Sequence, residues 1–528
     1  METRPVIDRQ KQMVERLIAQ LKENSFRFDL CETHLSWVII ADEFAYKIKK
    51  SLKFDFVDYS TLELRHHYCN EELRLNRRLA PAIYLAVIPI TGTPTDPVLD
   101  YEGAGVAIEY VLKMRAVEQQ AFWENRLNKH AVEAGEIDQL ANILAKFHES
   151  AEVASQELEW GSPGIIRSIA LSNLADLSRF ADGAEQKDQV LRLQKWNTEQ
   201  ATDLHPVFLL RKNTGFVREC HGDLHRGNIF TVEGEVQVFD CIEFNESLRW
   251  IDVINDISFI CMELDFYDHS HYAARLLNRY LEQTGDYAGL RLLPYYKTQR
   301  ALVRSKVAFM KAAQPLRSPS ETETAHRQAA AYLAFACDLT RRKKGFIMIT
   351  HGFSGCGKTT LARAVVGMLG AVQLRSDVER KRMHGYHKPG NEAEILNEGL
   401  YHPDRSRQVY ERLCVLSRQV LDAGFPVIVD AAFLHRHDRD LFRNLAAELQ
   451  LPFHVIHIRT DPEVMKARIA ERRLHGQDAS DATQAVLEYQ MAHYDPLSAE
   501  ETRGLIEVDS DKEWNTEYLA RLLRPILD

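Results

Sequence analysis

The sequence is poor in cysteine, and the cysteines it has form no pattern. Eight are scattered over 528 residues with no Cys-x-x-Cys pair. This argues against a disulfide framework or a zinc site and points to a reducing compartment, the cytoplasm. Long apolar runs are missing too. No stretch approaches the ~20 residues of a membrane-spanning helix, so no membrane partner is expected. The first twenty residues lack the apolar core of a secretory signal. There Ile7, Val14, Leu17, Ile18 and Leu21 recur at helical spacing between charged residues, the pattern of an amphipathic helix. A strong charge of one sign is also absent. The formal net charge of −10 argues against a dedicated nucleic-acid or anionic-membrane binder. No internal repeat or low-complexity tract is visible.

What is present is the composition of a globular chain, 45% hydrophobic and 27% charged. The length calls for two or more domains. Trp37 to Ala41 and Ala45 to Ile48 predict strands of a hairpin turning at Asp42 to Phe44. A charged helix is expected from about Leu62 to Leu79, a strand from Val106 to Val111, and helices from Ile251 to about Ala313. Pro315 and Pro319, flanked by serines, break that pattern. An alanine-rich helix follows, from about Glu323 to Arg342. Beyond Gly345 the chain alternates strand and helix, with Phe346 to Thr350, Val427 to Val429, His454 to Ile458 and Leu505 to Val508 reading as buried parallel strands. A boundary near residue 340 gives domains 1–340 and 341–528.

The run Gly352-Phe353-Ser354-Gly355-Cys356-Gly357-Lys358-Thr359 fits the phosphate-loop pattern at every fixed position, between an apolar strand and a helical pattern. Glycines let backbone N–H groups turn inward onto phosphate oxygens at a helix N-terminus. Lys358 would reach the β- and γ-phosphates, the Thr359 hydroxyl would ligate Mg²⁺, and Thr360 continues the loop. Downstream, Arg375-Ser376-Asp377 follows a short apolar stretch. A carboxylate there, at the carboxyl edge of a second strand, can take a proton from an attacking hydroxyl or cap a helix. Asp430 ends a strand as a Mg²⁺-holding carboxylate does, or as a plain strand-end cap would. Arg468 and Arg472 share one helical face suited to a phosphoryl clamp or to solvent.

Together these residues resemble the P-loop kinases of small hydroxyl compounds: gluconate kinase, chloramphenicol phosphotransferase, zeta toxin and the polynucleotide 5′-kinase domain. The likeness covers about residues 345 to 528. It implies that Asp377 is the catalytic base and that Arg468 or Arg472 forms a lid.

A second constellation is His221-Gly222-Asp223-Leu224-His225-Arg226-Gly227-Asn228. Asp223 and Asn228 have the spacing of a kinase catalytic loop, and Asp240 ends the next strand. Phosphoryl transfer needs these parts: Asp223 to orient the hydroxyl, with Asn228 and Asp240 to hold Mg²⁺. The segment looks like the aminoglycoside phosphotransferase family over about residues 25 to 310. The resemblance implies that Lys47 holds the α- and β-phosphates, with Lys49 and Lys50 as competitors. It makes Glu72, or Glu71, the partner of that lysine, and Glu109-Tyr110-Val111 the hinge whose backbone binds adenine. Asp256 would brace the catalytic loop. The likeness has a gap, since Glu32-Thr33-His34-Leu35-Ser36 stands where a glycine-rich loop is expected. Glu263, Asp265 and Asp268 could receive a cationic substrate or simply face solvent.

The fold expected is thus an N-terminal α+β protein-kinase-like bilobal domain followed by an α/β P-loop NTPase domain with a doubly wound parallel sheet. The function expected is a bifunctional phosphotransferase using ATP and Mg²⁺ on small-molecule hydroxyls. Two alternatives stand beside it: one domain as a nucleotide-binding regulator of the other, or a nucleic-acid 5′-hydroxyl kinase. Neither substrate nor oligomeric state is readable.

Overall fold

Alternating apolar residues from Ser36 to Lys49 fold as the expected antiparallel hairpin, its strands Ser36–Ala41 and Phe44–Lys49 joined at Asp42, which takes a positive φ of 52°. The computed structural model describes residues 3–54, 57–313, 318–341, 345–383, 403–475, 483–512 and 514–527. Packing divides the chain into two compact units: Met1–Ala175 with Asn197–Glu263, and Asp176–Trp196 with Leu264–Asp528. This division by packing is distinct from the division by motif near residue 340.

In the first unit the hairpin belongs to a six-stranded antiparallel sheet. Its order is Phe28–Glu32, Ser36–Ala41, Phe44–Lys49, Glu109–Arg115, Tyr84–Thr93, Asp96–Leu99. The amphipathic helix Thr3–Glu23 buries Met13, Val14 and Leu17 against Trp37, Ile39 and Ile48. Helix Leu62–Asn76 starts where the Thr61 hydroxyl accepts from Leu64 N–H. The strand expected at Val106–Val111 instead runs Glu109–Arg115. Its approach is a turn wound on the Asp100 carboxylate, which accepts from the N–H groups of Glu102, Gly103 and Gly105.

The second unit holds a five-stranded parallel sheet in the order Val372–Arg375, Val427–Asp430, Ile347–His351, Phe453–Arg459, Ile506–Asp509. Its central strands are buried on both faces, which is why they read as continuous apolar runs. The helix Lys358–Leu369 packs on helix Ser270–Thr284, where Gly367 lets His271 come close. The proline break resolves into a capping box. Ser318 accepts from Glu321 N–H and Glu321 accepts from Ser318 N–H, so the alanine-rich helix starts at Pro319 rather than Glu323.

Arg439 is the largest charge buried in this unit. Its guanidinium pairs with Glu501 at 2.6 Å and donates to the carbonyls of Phe433, Leu434 and Asp495. Removing one partner of a buried pair strands the other, although Arg443 also reaches Glu501 at 3.1 Å. Arg439→Met is therefore expected to lower stability by about 3 kcal/mol. A urea denaturation midpoint equal to that of the parent would contradict this.

Candidate active sites

In the first unit the loop 221–228 sits between strand Val217–Glu219 and the hairpin Ile229–Val232/Glu235–Val238. Gly222 has φ +85°, and a Cβ there would lie 2.7 Å from Leu248 O, so the turn accepts only glycine. The fully buried Asp256 accepts from the N–H groups of His221 at 3.0 Å and Gly222 at 2.8 Å, and contacts His148 Nε2 at 3.1 Å. It thus braces the loop 221–228, in the place the sequence suggested. Burial would raise the Asp256 carboxyl, but His148, His221 and the Gly222 N–H outweigh it and hold the group down to about 2.

The loop places Asp223 and Asn228 side by side, with Asn228 Nδ2 donating to Asp223 O at 3.0 Å. Asp240, at a positive φ of 64°, meets Lys47 Nζ at 2.8 Å, and the same ammonium meets Glu72 at 2.7 Å. Sites on strand, helix and loop therefore converge. The alternative Glu71 pairs with Arg74 instead. Lys49 is buried and binds the other oxygen of Glu72 at 2.6 Å and also Glu243, to which Tyr59 OH donates. Lys50 is fastened to Glu32 and Thr33 O. Burial alone would lower the Lys47 ammonium pKa, but Asp240 and Glu72 raise it well above its ordinary value. Burial likewise opposes the ionised Glu72, yet the two lysines pull it down to about 2. The second lysine and Glu243, three residues past Asp240, were not assigned from sequence; the only signal was that short spacing.

Glu109 and Val111 lie elsewhere than a hinge. Val111 is inside the sheet opposite Ile88, and the Glu109 carboxylate is taken by Arg65 and by Gln10 of the N-terminal helix. A pattern of apolar residues around Glu109 marks a strand. The backbone leaves the ladder only after Arg115. In place of a glycine loop, Thr33 closes a tight turn by accepting from Ser36 N–H at 2.9 Å. Two of the three acidic candidates for a cationic substrate are engaged internally, Asp265 with Lys297 and Glu263 with Arg226 at 3.6 Å, while Asp268 is exposed.

In the second unit the candidate residues of the loop after Ile347–His351, Asp430 and Asp377 lie at the carboxyl edge of the parallel sheet. Strand Ile347–His351 leads into the phosphate loop, where Gly355 has φ +84° and a Cβ would meet Met465 O at 2.7 Å. Lys358 Nζ donates to Gly352 O at 3.0 Å and Phe353 O at 2.7 Å, and Ser354 N–H donates to Gln490 Oε1 at 2.9 Å. Thr359 lies close enough to the Asp430 side chain to pull its carboxyl down, so two hard oxygen donors of the kind Mg²⁺ prefers lie together. Burial raises the Asp430 carboxyl above its ordinary range, against the pull of Arg375, Thr359 and Lys358. Asp377 opens helix Ser376–Met383 at the end of the next strand and accepts from Arg380 at 2.8 Å.

Arg468 lies on helix Pro462–His475 and donates to Ser510 Oγ at 2.8 Å and Ser510 O at 2.9 Å. The side chain of Arg472, on the same helix, is outside the described residues. A cavity of about 460 Å³ beside the loop is lined by Gly355, Gly357, Thr360, Arg468, Ser510 and Trp514. Ser510 and Trp514 escaped the sequence reading. Their position just after the last strand was the available signal.

Comparison with known proteins bears on the two segments of the chain. Residues 64–293 match the phosphotransferase enzyme family, and residues 347–497 match an AAA domain. The chain therefore joins a phosphotransferase-family domain to a P-loop kinase-like domain, and the protein is a kinase. An uncharacterized protein of Mycobacterium tuberculosis is 29% identical over 476 residues, 90% of this chain and 92% of that protein. Among solved structures, a choline/ethanolamine kinase family protein from Mesorhizobium loti is 13% identical with a TM-score of 0.37, over 62% of this chain and 99% of its own. The APS kinase of Mycobacterium tuberculosis is 19% identical with a TM-score of 0.27, over 35% of this chain and 98% of its own.

A depressed carboxylate contributes stability above its unfolded pKa, near 3.9, and loses it as pH falls through the folded value. For Asp256, with a folded value of about 2, the gap in urea midpoint between the parent and Asp256→Asn is expected to hold steady above pH 5 and narrow from pH 4 downward. A gap that widens with acid would contradict this assignment.

Proposed function

We propose that the protein is a bifunctional kinase with two ATP sites, each transferring the γ-phosphoryl group to a hydroxyl of a small molecule. The observation that carries this reading is the convergence of Lys47, Glu72 and Asp240 beside the Asp223–Asn228 pair, in a chain that also holds a complete phosphate loop with Asp377 and Asp430 at its edge.

In the first site Asp223 accepts the acceptor's hydroxyl proton, and Lys47 steers the phosphates. Asn228 and Asp240 offer the oxygens that would hold Mg²⁺. Adenine is met by backbone leaving the sheet after Arg115. In the second site the loop N–H groups, Lys358 and Arg468 bind the phosphates, Thr359 and Asp430 would hold Mg²⁺, and Asp377 receives the proton. At both, a metal ion held by these oxygens would supply neutralisation of the phosphate charge. The nucleotide base fits the cavity beside Ser510 and Trp514.

The net charge of −10 supports small acceptors over nucleic acid. Eight scattered cysteines with no Cys-x-x-Cys pair support the cytoplasm as compartment, and among the described residues no helix is long and apolar enough to cross a membrane.

The test is incubation with labelled ATP and a metabolite extract, read by mass spectrometry. Asp223→Asn is expected to slow one set of phosphorylated products by about 10²–10⁴-fold, as loss of a general base does. Lys358→Ala should remove a different set. The two-kinase reading fails if Asp223→Asn leaves every product unchanged. It also fails if both variants remove the same set, which would make one site a regulator of the other.

A further inference from the structure

The strand Val372–Arg375 is the outer strand of the parallel sheet, with a neighbour on one side only. Its open edge is met by helix Ser270–Thr284. Asn278 Nδ2 donates to Ala371 O at 2.9 Å, and Asn278 Oδ1 accepts from Gln373 N–H at 2.6 Å. A side-chain amide thus takes the place of a missing strand. One turn further along the helix, Glu282 Oε1 accepts from Arg375 Nη1 at 2.5 Å, and Glu282 O accepts from Arg382 Nη2 at 2.7 Å. Residues 270–284 fall inside the phosphotransferase match, yet they pack on the P-loop sheet.

Arg375 is what makes this contact consequential. Its buried guanidinium lies between two carboxylates, in contact with Glu282 and 3.8 Å from Asp430 Oδ2. Asp430 Oδ2 also accepts from Gln373 Nε2 at 2.9 Å, from the same edge strand. An arginine closing fully on Asp430 would form a charge-assisted pair with the carboxylate that the nucleotide's metal ion needs. Glu282 competes for that guanidinium and holds it at one remove.

We propose that Glu282 is a positioning residue for the P-loop site, keeping Arg375 off Asp430 so that the carboxylate stays available to Mg²⁺. The inference rests on the reading of residues 352–359 as a nucleotide site. It also means that this site is completed by a residue from the phosphotransferase-matching segment of the chain.

The test uses the full chain and calorimetric titration with AMP-PNP, with and without MgCl₂, following the binding step that Lys358→Ala abolishes. Glu282→Gln is expected to leave metal-free affinity of that step unchanged and to cut its enhancement by magnesium about ten-fold, the scale of lost outer partners at metal sites. Glu282→Asp, which keeps the charge, should retain most of the enhancement. Combining Glu282→Gln with Arg375→Gln should restore it, since no guanidinium is left to close on Asp430. A purely structural role predicts the opposite, with damage compounded in the double variant. The proposal is overturned if magnesium enhancement survives in Glu282→Gln, if Glu282→Asp loses it as fully, or if the double variant is worse than the single. If Lys358→Ala abolishes no binding step, the nucleotide-site reading itself falls, and the proposal with it.

Discussion

The first site depends on one buried carboxylate. Glu72 is shared by Lys47 and Lys49, and every other group there is placed relative to that pairing. Removing three charges from water is costly unless each is answered, so strand Phe44–Lys49 and helix Leu62–Asn76 must stay in register. Lys49 and Glu243 make the arrangement redundant: when Lys47 turns to a phosphate, Glu72 keeps a cation. The second site solves the same problem with backbone. Lys358 rests on the carbonyls of its own loop and Ser354 N–H on Gln490, so an arriving phosphate exchanges partners and uncovers no bare charge.

The parts most legible in the sequence were those whose chemistry dictates residue type at close spacing. Gly352 to Thr359 must contain glycines to turn N–H groups inward. Asp223 and Asn228 were legible because a kinase-type catalytic loop fixes their spacing, and the structure sets them side by side. The sheet of the second unit was visible because doubly buried strands are apolar throughout. Near Glu109 the apolar pattern marked a strand correctly but misplaced its ends. A hinge is a property of backbone leaving a ladder, and no side-chain type marks it.

Contacts between distant segments were the least visible. Glu282 and Arg375 stand 93 residues apart, and taken singly each reads as an ordinary surface charge. Arg468 looked like part of a lid on its helical face, but its two bonds to Ser510 depend on how the last strand ends. Period and motif report what a segment does alone. They are silent on which partner a long charged side chain finds once the chain has folded back on itself.

The amide of Asn278 that caps the outer strand has a consequence for biosynthesis. Asn278 and Gln373 are 95 residues apart, so at about 5–20 residues per second the helix leaves the ribosome roughly 5–20 s before the strand it will serve. Throughout that interval Asn278 and Glu282 can turn only to partners on their own helix, Ala274 O and Arg279. Assembly of the nascent chain therefore runs in a fixed direction. The helix is the waiting template, and a chain truncated before residue 372 would carry it permanently uncovered.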